Sequence, residues 1–160
     1  MSHTPELDMH EGSGIRTAVD ILVLDPVGRV LLGLHYKNKQ QVWGFVGGHQ
    51  KTGETIVQTA HRELAEELGP RHGVELTNKI IAVRENCIAP WFVPHITIVI
   101  LGHWSLGNIE VAEPHRTVRW EWCDPATPPR PLFSGVEEVL EAHLINKPIV
   151  VTDWPAKPSL

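Results

Sequence analysis

The chain has 160 residues, enough for one domain and too few for two independently cored ones. Its apolar fraction of 42% and charged fraction of 21% suit a cored globule and exclude a disordered chain. Nineteen acidic residues against fourteen Lys and Arg give a net charge of −5, which excludes a broad phosphate-neutralising surface, so polymeric nucleic acid is not an expected partner.

Met1–Gly14 has neither a basic start nor an apolar core and reads as a loose leader, not a signal peptide. The most apolar run, Ile96–Leu101, is far shorter than the roughly 20 residues that span a bilayer. A cytoplasmic protein without a membrane partner is expected. Cys87 and Cys123 lack CxxC spacing and read as inert thiols.

Ile15–Asp25 is rich in Val, Ile and Leu and predicts a strand. Asp25-Pro26-Val27-Gly28 has turn chemistry, with Pro second and Gly fourth, so Arg29–His35 should return as a hairpin partner. Tyr36–Val42 reads as a polar loop carrying Lys37 and Lys39, and Trp43–Val46 as a short strand leading into Gly47-Gly48. From Thr55 to Leu68 the period changes. Ile56, Ala60, Leu64 and Leu68 recur every four residues, Thr55 and Gln58 form a capping box, and Gly69-Pro70 stops the helix. Ile80–Cys87, Pro94–Ser105 and Thr117–Cys123 read as strands, and Val136–Leu144 as a second helix. Strands interrupted by one helix and closed by another predict a mixed α/β sandwich: a leader over 1–14, one domain over 15–146 and a tail over 147–160.

Glu63, Glu66 and Glu67 stand at i, i+3 and i+4 on the first helix, within an arc of about 100°. Alone they could be a solvated acidic face. Three like charges so close repel one another unless something positive sits between them, and Mg²⁺ takes hard oxygen ligands of this kind. Gly48 is followed after five residues by Glu54, and after seven more by Arg62-Glu63-Leu64-Ala65-Glu66-Glu67-Leu68-Gly69. This spacing resembles the box of the Nudix, or MutT-like, pyrophosphohydrolases at eight of nine constrained positions, with Pro70 where an aliphatic residue is usual. Chance agreement is on the order of once in 10⁹ windows.

The resemblance implies an α/β/α Nudix sandwich in a single domain, and a hydrolase using Mg²⁺, or Mn²⁺, to direct water at a diphosphate. It implies Glu63 and Glu67 as the main metal ligands, Glu66 as an assisting ligand or water-orienting group, and the Gly48 carbonyl as a further ligand. Arg62 lies beside these acids and can hold carboxylates or contact substrate. Glu54, just before the helix, reads as structural.

The base could be a box glutamate, Glu113 or His115. Glu113-Pro114-His115-Arg116 precedes Trp120-Glu121-Trp122, similar to the strand after such loops in small Nudix nucleotide hydrolases. His115 stands five residues before Trp120, as does the base histidine of the GDP-mannose hydrolase branch, although that branch loses one box acid and this chain keeps all three. His35 stands where small Nudix hydrolases often carry a phosphate-touching Arg. Trp91-Phe92 lies in a Pro-flanked loop where aromatics can stack on a base.

The expected substrate is a nucleoside triphosphate, hydrolysed to monophosphate and pyrophosphate. The alternatives are a sugar nucleotide such as GDP-mannose and a non-catalytic nucleotide-binding module. A homodimer is a candidate assembly.

Overall fold

A computed structural model describes residues 14–88 and 93–153. The leader up to residue 13 lies outside that range, as do Trp91 and Phe92. The elements are β1 (Arg16–Leu24), β2 (Val30–Lys37), β3 (Gln40–Gly44), β4 (Val46–His49), α1 (Ile56–Leu68), β5 (Val74–Ile88), β6 (Val93–Trp104), β7 (Thr117–Cys123), α2 (Val136–Leu144) and β8 (Ile149–Asp153). They form one mixed sheet in the order β3-β2-β1-β6-β5-β8, with β4 also on β1 and β7 also on β2. β1 runs parallel to β6, from Arg16 opposite His95 to Leu24 opposite His103. β5 runs antiparallel to β6 and parallel to β8.

β1 is apolar on both faces because both are covered. Val19, Ile21 and Val23 pack with Ala60, Leu64 and Leu68 of α1. Leu22 and Leu24, pointing the other way, pack with Val136, Val139 and Leu140 of α2. The sheet is therefore sandwiched between the two helices, as the sequence predicts. Thr55 caps α1 as expected: its hydroxyl accepts from the Gln58 amide, and the Gln58 side chain accepts from the Thr55 amide.

Three local expectations are corrected. Tyr36–Val42 is not a loop but the end of a hairpin, with Lys37 opposite Gln40 and a two-residue turn at Asn38 and Lys39, both at positive φ (48° and 65°). Glycine is the usual marker of such a turn and its absence hid it. β5 begins at Val74 instead of Ile80. Its register shifts between Leu76 and Ile80 and again before Ala82, so the alternation that marks a strand is broken there. Ile149–Asp153, within the stretch read as a tail, pairs with β5 as β8.

The first hairpin turn rests on a buried carboxylate. Asp25 accepts from the Val27 amide at 3.1 Å, the Arg29 amide at 2.8 Å and Arg29 Nε at 2.6 Å, with its side chain 1% exposed. Burial disfavours its ionisation, but the bonds from Arg29 and Val27 outweigh burial and hold its carboxyl below the usual carboxylate range. Asp25→Ala is expected to cost about 1–3 kcal/mol at neutral pH. Because the folded-state value is depressed, this contribution is complete above the unfolded value and is lost as pH falls through the folded one. Denaturant melts of both proteins at pH 7 and in stepwise more acid buffer check this, the difference between them shrinking with acid.

Candidate active site

The box folds into a glycine turn and a helix facing each other. β4 carries Gly47 and Gly48 alongside β1, with Gly47 opposite Asp20 and Gly48 opposite Val19. Leu64 and Leu68, fully buried against the sheet, fix the rotation of α1. That rotation separates the three acids that the helical spacing groups together. Glu63 and Glu67 turn inward, each 4% exposed, whereas Glu66 stays outside.

Both inward carboxylates reach the glycine turn. The Gly47 amide donates to Glu67 Oε1 at 2.8 Å. A Cβ on Gly48 would lie 2.5 Å from Glu63 Cδ, so only glycine leaves room for that carboxyl group. Burial pushes the Glu67 carboxyl up to about 8; the Gly47 bond opposes the shift, and the nearby Glu63 charge adds to it.

Arg62 holds the outer edge of the site. Its Nε and Nη2 donate to the two Glu54 oxygens at 2.6 and 3.0 Å, and Nη1 donates to Glu63 Oε1 at 2.6 Å and Glu66 Oε2 at 3.1 Å. Nη2 also donates to the His49 carbonyl at 2.8 Å. The guanidinium is engaged by three carboxylates and a backbone carbonyl of the protein itself. The Arg62 bond, joined by those from the Lys51 amide and the Thr59 hydroxyl, holds the Glu54 carboxyl down to about 2. Glu54 is thus tied to Arg62, Lys51 and Thr59 at once. Lys51 Nζ lies 3.6 Å from Glu66 Oε1.

The late loop reaches the site by a route that spacing does not reveal. The amides of Asn108, Glu110 and Ala112 donate to the carbonyls of Arg71, Leu68 and Glu67, so the loop zips along the C-terminal end of α1 and satisfies carbonyls the helix leaves open. This docks Glu113 near enough to Glu67 for its charge to be felt there. Glu113 Oε2 accepts from Arg116 Nη1 at 3.3 Å. His115, on the same turn, is exposed.

His35 lies near the end of β2, opposite Thr117 of β7. Its Nδ1 lies 3.0 Å from Thr117 Oγ1, and its ring stands edge-on to Trp120 and Phe133 at 5.4 and 6.0 Å. Burial lowers its pKa, disfavouring the charged imidazolium. Lys37 sits with Nζ 4.4 Å from the centre of the Phe133 ring.

Asp20 and Arg84 form a charged pair beside the glycine turn that the sequence does not single out. Asp20 lies on the α2 face of β1 opposite Gly47, and Arg84 Nη1 donates to its Oδ2 at 3.0 Å. Burial raises the Asp20 carboxyl to about 6 against the pull of Arg84, and the charge of Glu63 adds to the rise. The available signal was a single acid within the apolar run Ala18–Leu24.

The donor set fits a hard divalent cation. Two buried carboxylates and a backbone turn bare of side chains provide oxygen ligands with no thiol or imidazole among them. Among the described residues no three His, Cys, Asp or Glu side chains converge into a complete cage, so Glu63 and Glu67 would need backbone, Glu113 or water oxygens to complete a shell.

A mixed sheet between two helices, with a carboxylate helix turned onto a glycine loop, is the architecture of a phosphate-handling hydrolase. The NUDIX domain family model matches residues 14–142. The fold is similar to that of the MutT NUDIX hydrolase from Burkholderia pseudomallei (TM-score 0.69, 25% identity, 81% of this chain and 98% of that one). It is also similar to the MutT protein from Methanosarcina mazei Go1 (TM-score 0.67, 18% identity, 84% of this chain and 97% of that one). An RNA pyrophosphohydrolase from Pseudoalteromonas atlantica is 38% identical over 80 residues, which are 49% of this chain and 42% of that protein, so the match spans less than half of the curated relative. The chain belongs to the Nudix family of MutT-like hydrolases. Among the described residues, no helix is long and apolar enough to cross a membrane.

Proposed function

We propose that this protein is a divalent-metal-dependent Nudix pyrophosphohydrolase that converts a nucleoside triphosphate into monophosphate and pyrophosphate. The observation that carries the proposal is the burial of Glu63 and Glu67 against the Gly47-Gly48 turn, with the loop that leads to Glu113 bonded to the end of α1. Glu63, Glu67 and the Gly48 carbonyl would hold Mg²⁺, or Mn²⁺ in its place, with Glu66 or Glu113 as a further oxygen ligand. Such an ion neutralises diphosphate oxygens and acidifies water.

The protein's own contribution is to hold these groups in place. Arg62 ties Glu63 and Glu66 to the Glu54 strut, so the acidic face is set before substrate arrives. Glu113 accepts the proton of the attacking water, and Glu66, held between Arg62 and Lys51, orients that water. Arg62 is a positioning residue, and the exposed His115 is given no role. Trp91 and Phe92 remain the aromatic candidates for stacking on a base.

Incubation with Mg²⁺ and a panel of NTPs, dNTPs and GDP-sugars, with identification of every product, tests the reading. Nucleoside monophosphate and pyrophosphate are expected, with turnover lost in EDTA. Free sugar and GDP would overturn the triphosphate reading in favour of a sugar-nucleotide hydrolase. No turnover of any compound with Mg²⁺ or Mn²⁺ would overturn both.

A further inference from the structure

The glycine turn is held from behind as well as from the α1 side. Gly47 stands opposite Asp20 in the pairing of β4 with β1. A Cβ on Gly47 would lie 2.5 Å from Asp20 Oδ1, so this carboxylate fills the space a side chain there would take. The amide of the same glycine donates to Glu67 Oε1 at 2.8 Å. Gly47 is thus seated between two carboxylates, one from β1 and one from α1. Asp20 is in turn held by Arg84 of β5, which spans the intervening β6 to donate from Nη1 to Oδ2 at 3.0 Å. Arg84 Nη2 donates to the Ser134 carbonyl, and a Cβ on Gly135, the N-cap of α2, would lie 2.5 Å from Arg84 Nε. One guanidinium therefore ties β5, β1 and the start of α2 together.

We infer that Arg84 is a positioning residue for the box, fixing Asp20 against Gly47 and so setting the glycine turn where it meets Glu63 and Glu67, an inference that rests on the metal-site reading of that turn. The first reason is the contact itself. Asp20 takes the place of a side chain on Gly47, so its carboxylate cannot shift without changing what that backbone rests on. The second is energetic. The two side chains are only 17% and 20% exposed, and a pair so far out of water adds little stability over apolar residues of similar size. Its use in the otherwise apolar run Ala18–Leu24 points to placement instead. Without the guanidinium, Asp20 is left inside the sheet with no counter-charge, and it turns toward water. Gly47 then loses the neighbour that fixes it, and the Glu67 bond on its other side loosens. Arg84 acts only through Asp20 and Gly47 and touches neither metal nor substrate.

Wild type, Arg84→Gln and Arg84→Lys are compared in two measurements. The first is hydrogen exchange at the Gly47 amide in metal-free protein, followed by NMR beside amides in the middle of α1. The second is Mn²⁺ affinity without nucleotide, by electron paramagnetic resonance, with kcat and KM for nucleoside triphosphate in parallel. Arg84→Gln should speed exchange at Gly47 by about 10-fold or more while the α1 amides keep wild-type rates. It should also weaken Mn²⁺ binding by about 10-fold and lower kcat more than it raises KM. Arg84→Lys keeps the charge without the fork, so it should show each effect at reduced size, and it decides the matter if Arg84→Gln does not fold. A lower Tm with Gly47 exchange and Mn²⁺ affinity at wild-type values would mark a pair that serves stability alone and overturn the inference. A raised KM with nothing else changed would place Arg84 against substrate and overturn it too. Faster Gly47 exchange in the variants of a protein whose wild type binds no Mn²⁺ would overturn the metal-site reading and leave the positioning role standing.

Discussion

Glu67→Gln is expected to reduce kcat by about 10²-fold or more with saturating Mg²⁺, while making the metal-free protein more stable at neutral and alkaline pH. The carboxyl is buried, and burial, with Glu63 close by, pushes its folded-state value up to about 8 from an ordinary 4.5. Between those values the folded protein holds a proton that the unfolded chain has released, so wild-type stability falls as pH rises through that window. Glutamine keeps an oxygen for the Gly47 amide and removes the titration. The metal-free variant should therefore match wild type near pH 4 and exceed it by about 1–3 kcal/mol at pH 8, or about 2–10 °C in Tm. Melting curves in EDTA across pH, with rates in Mg²⁺, check both halves. A variant that is less stable yet still active would defeat the metal-ligand assignment at Glu67.

Gly48→Ala is expected to leave the fold intact and cost about 10²-fold in activity. The added methyl meets the Glu63 carboxyl group, the movable end of a side chain, so stability should change by less than about 1 kcal/mol. Glu63 cannot yield without weakening its bond to Arg62 Nη1, and misplacing a group by about 1 Å in such a site is costly to rate. The rate should fall while the far-ultraviolet circular dichroism spectrum and Tm hold. Adding Glu63→Asp to Gly48→Ala, which shortens the crowded side chain by one methylene, should restore part of the loss. A Gly48→Ala enzyme with wild-type kcat would show that Glu63 is not held by this turn.

Much of the architecture was legible in the residues. The four-residue apolar repeat of α1, the Thr55 capping box and the hydrophobic β1 are local patterns that need no distant partner to be read. The elements that escaped were those whose partners lie far along the chain. β8 is a short edge strand defined only by pairing with β5, and the extension of β5 back to Val74 is interrupted by register shifts that erase its alternation.

For the site, the spacing from Gly48 to Gly69 by itself determined the family and the acidic helix. One helical face imposes that grouping whatever surrounds it. Tertiary structure alone decided how the three acids are set. Packing of Leu64 and Leu68 rotates Glu63 and Glu67 into the interior and leaves Glu66 outside. It also decided that Arg62 is bonded to Glu54, Glu63 and Glu66, that His35 is packed against Trp120 and Phe133, and that Glu113 is carried by a loop zipped to the end of α1. Spacing along one helix fixes angles between neighbouring side chains. Burial, charge and reach depend on what the rest of the chain brings against them, and for this protein that was a sheet on one side and a returning loop at the helix end.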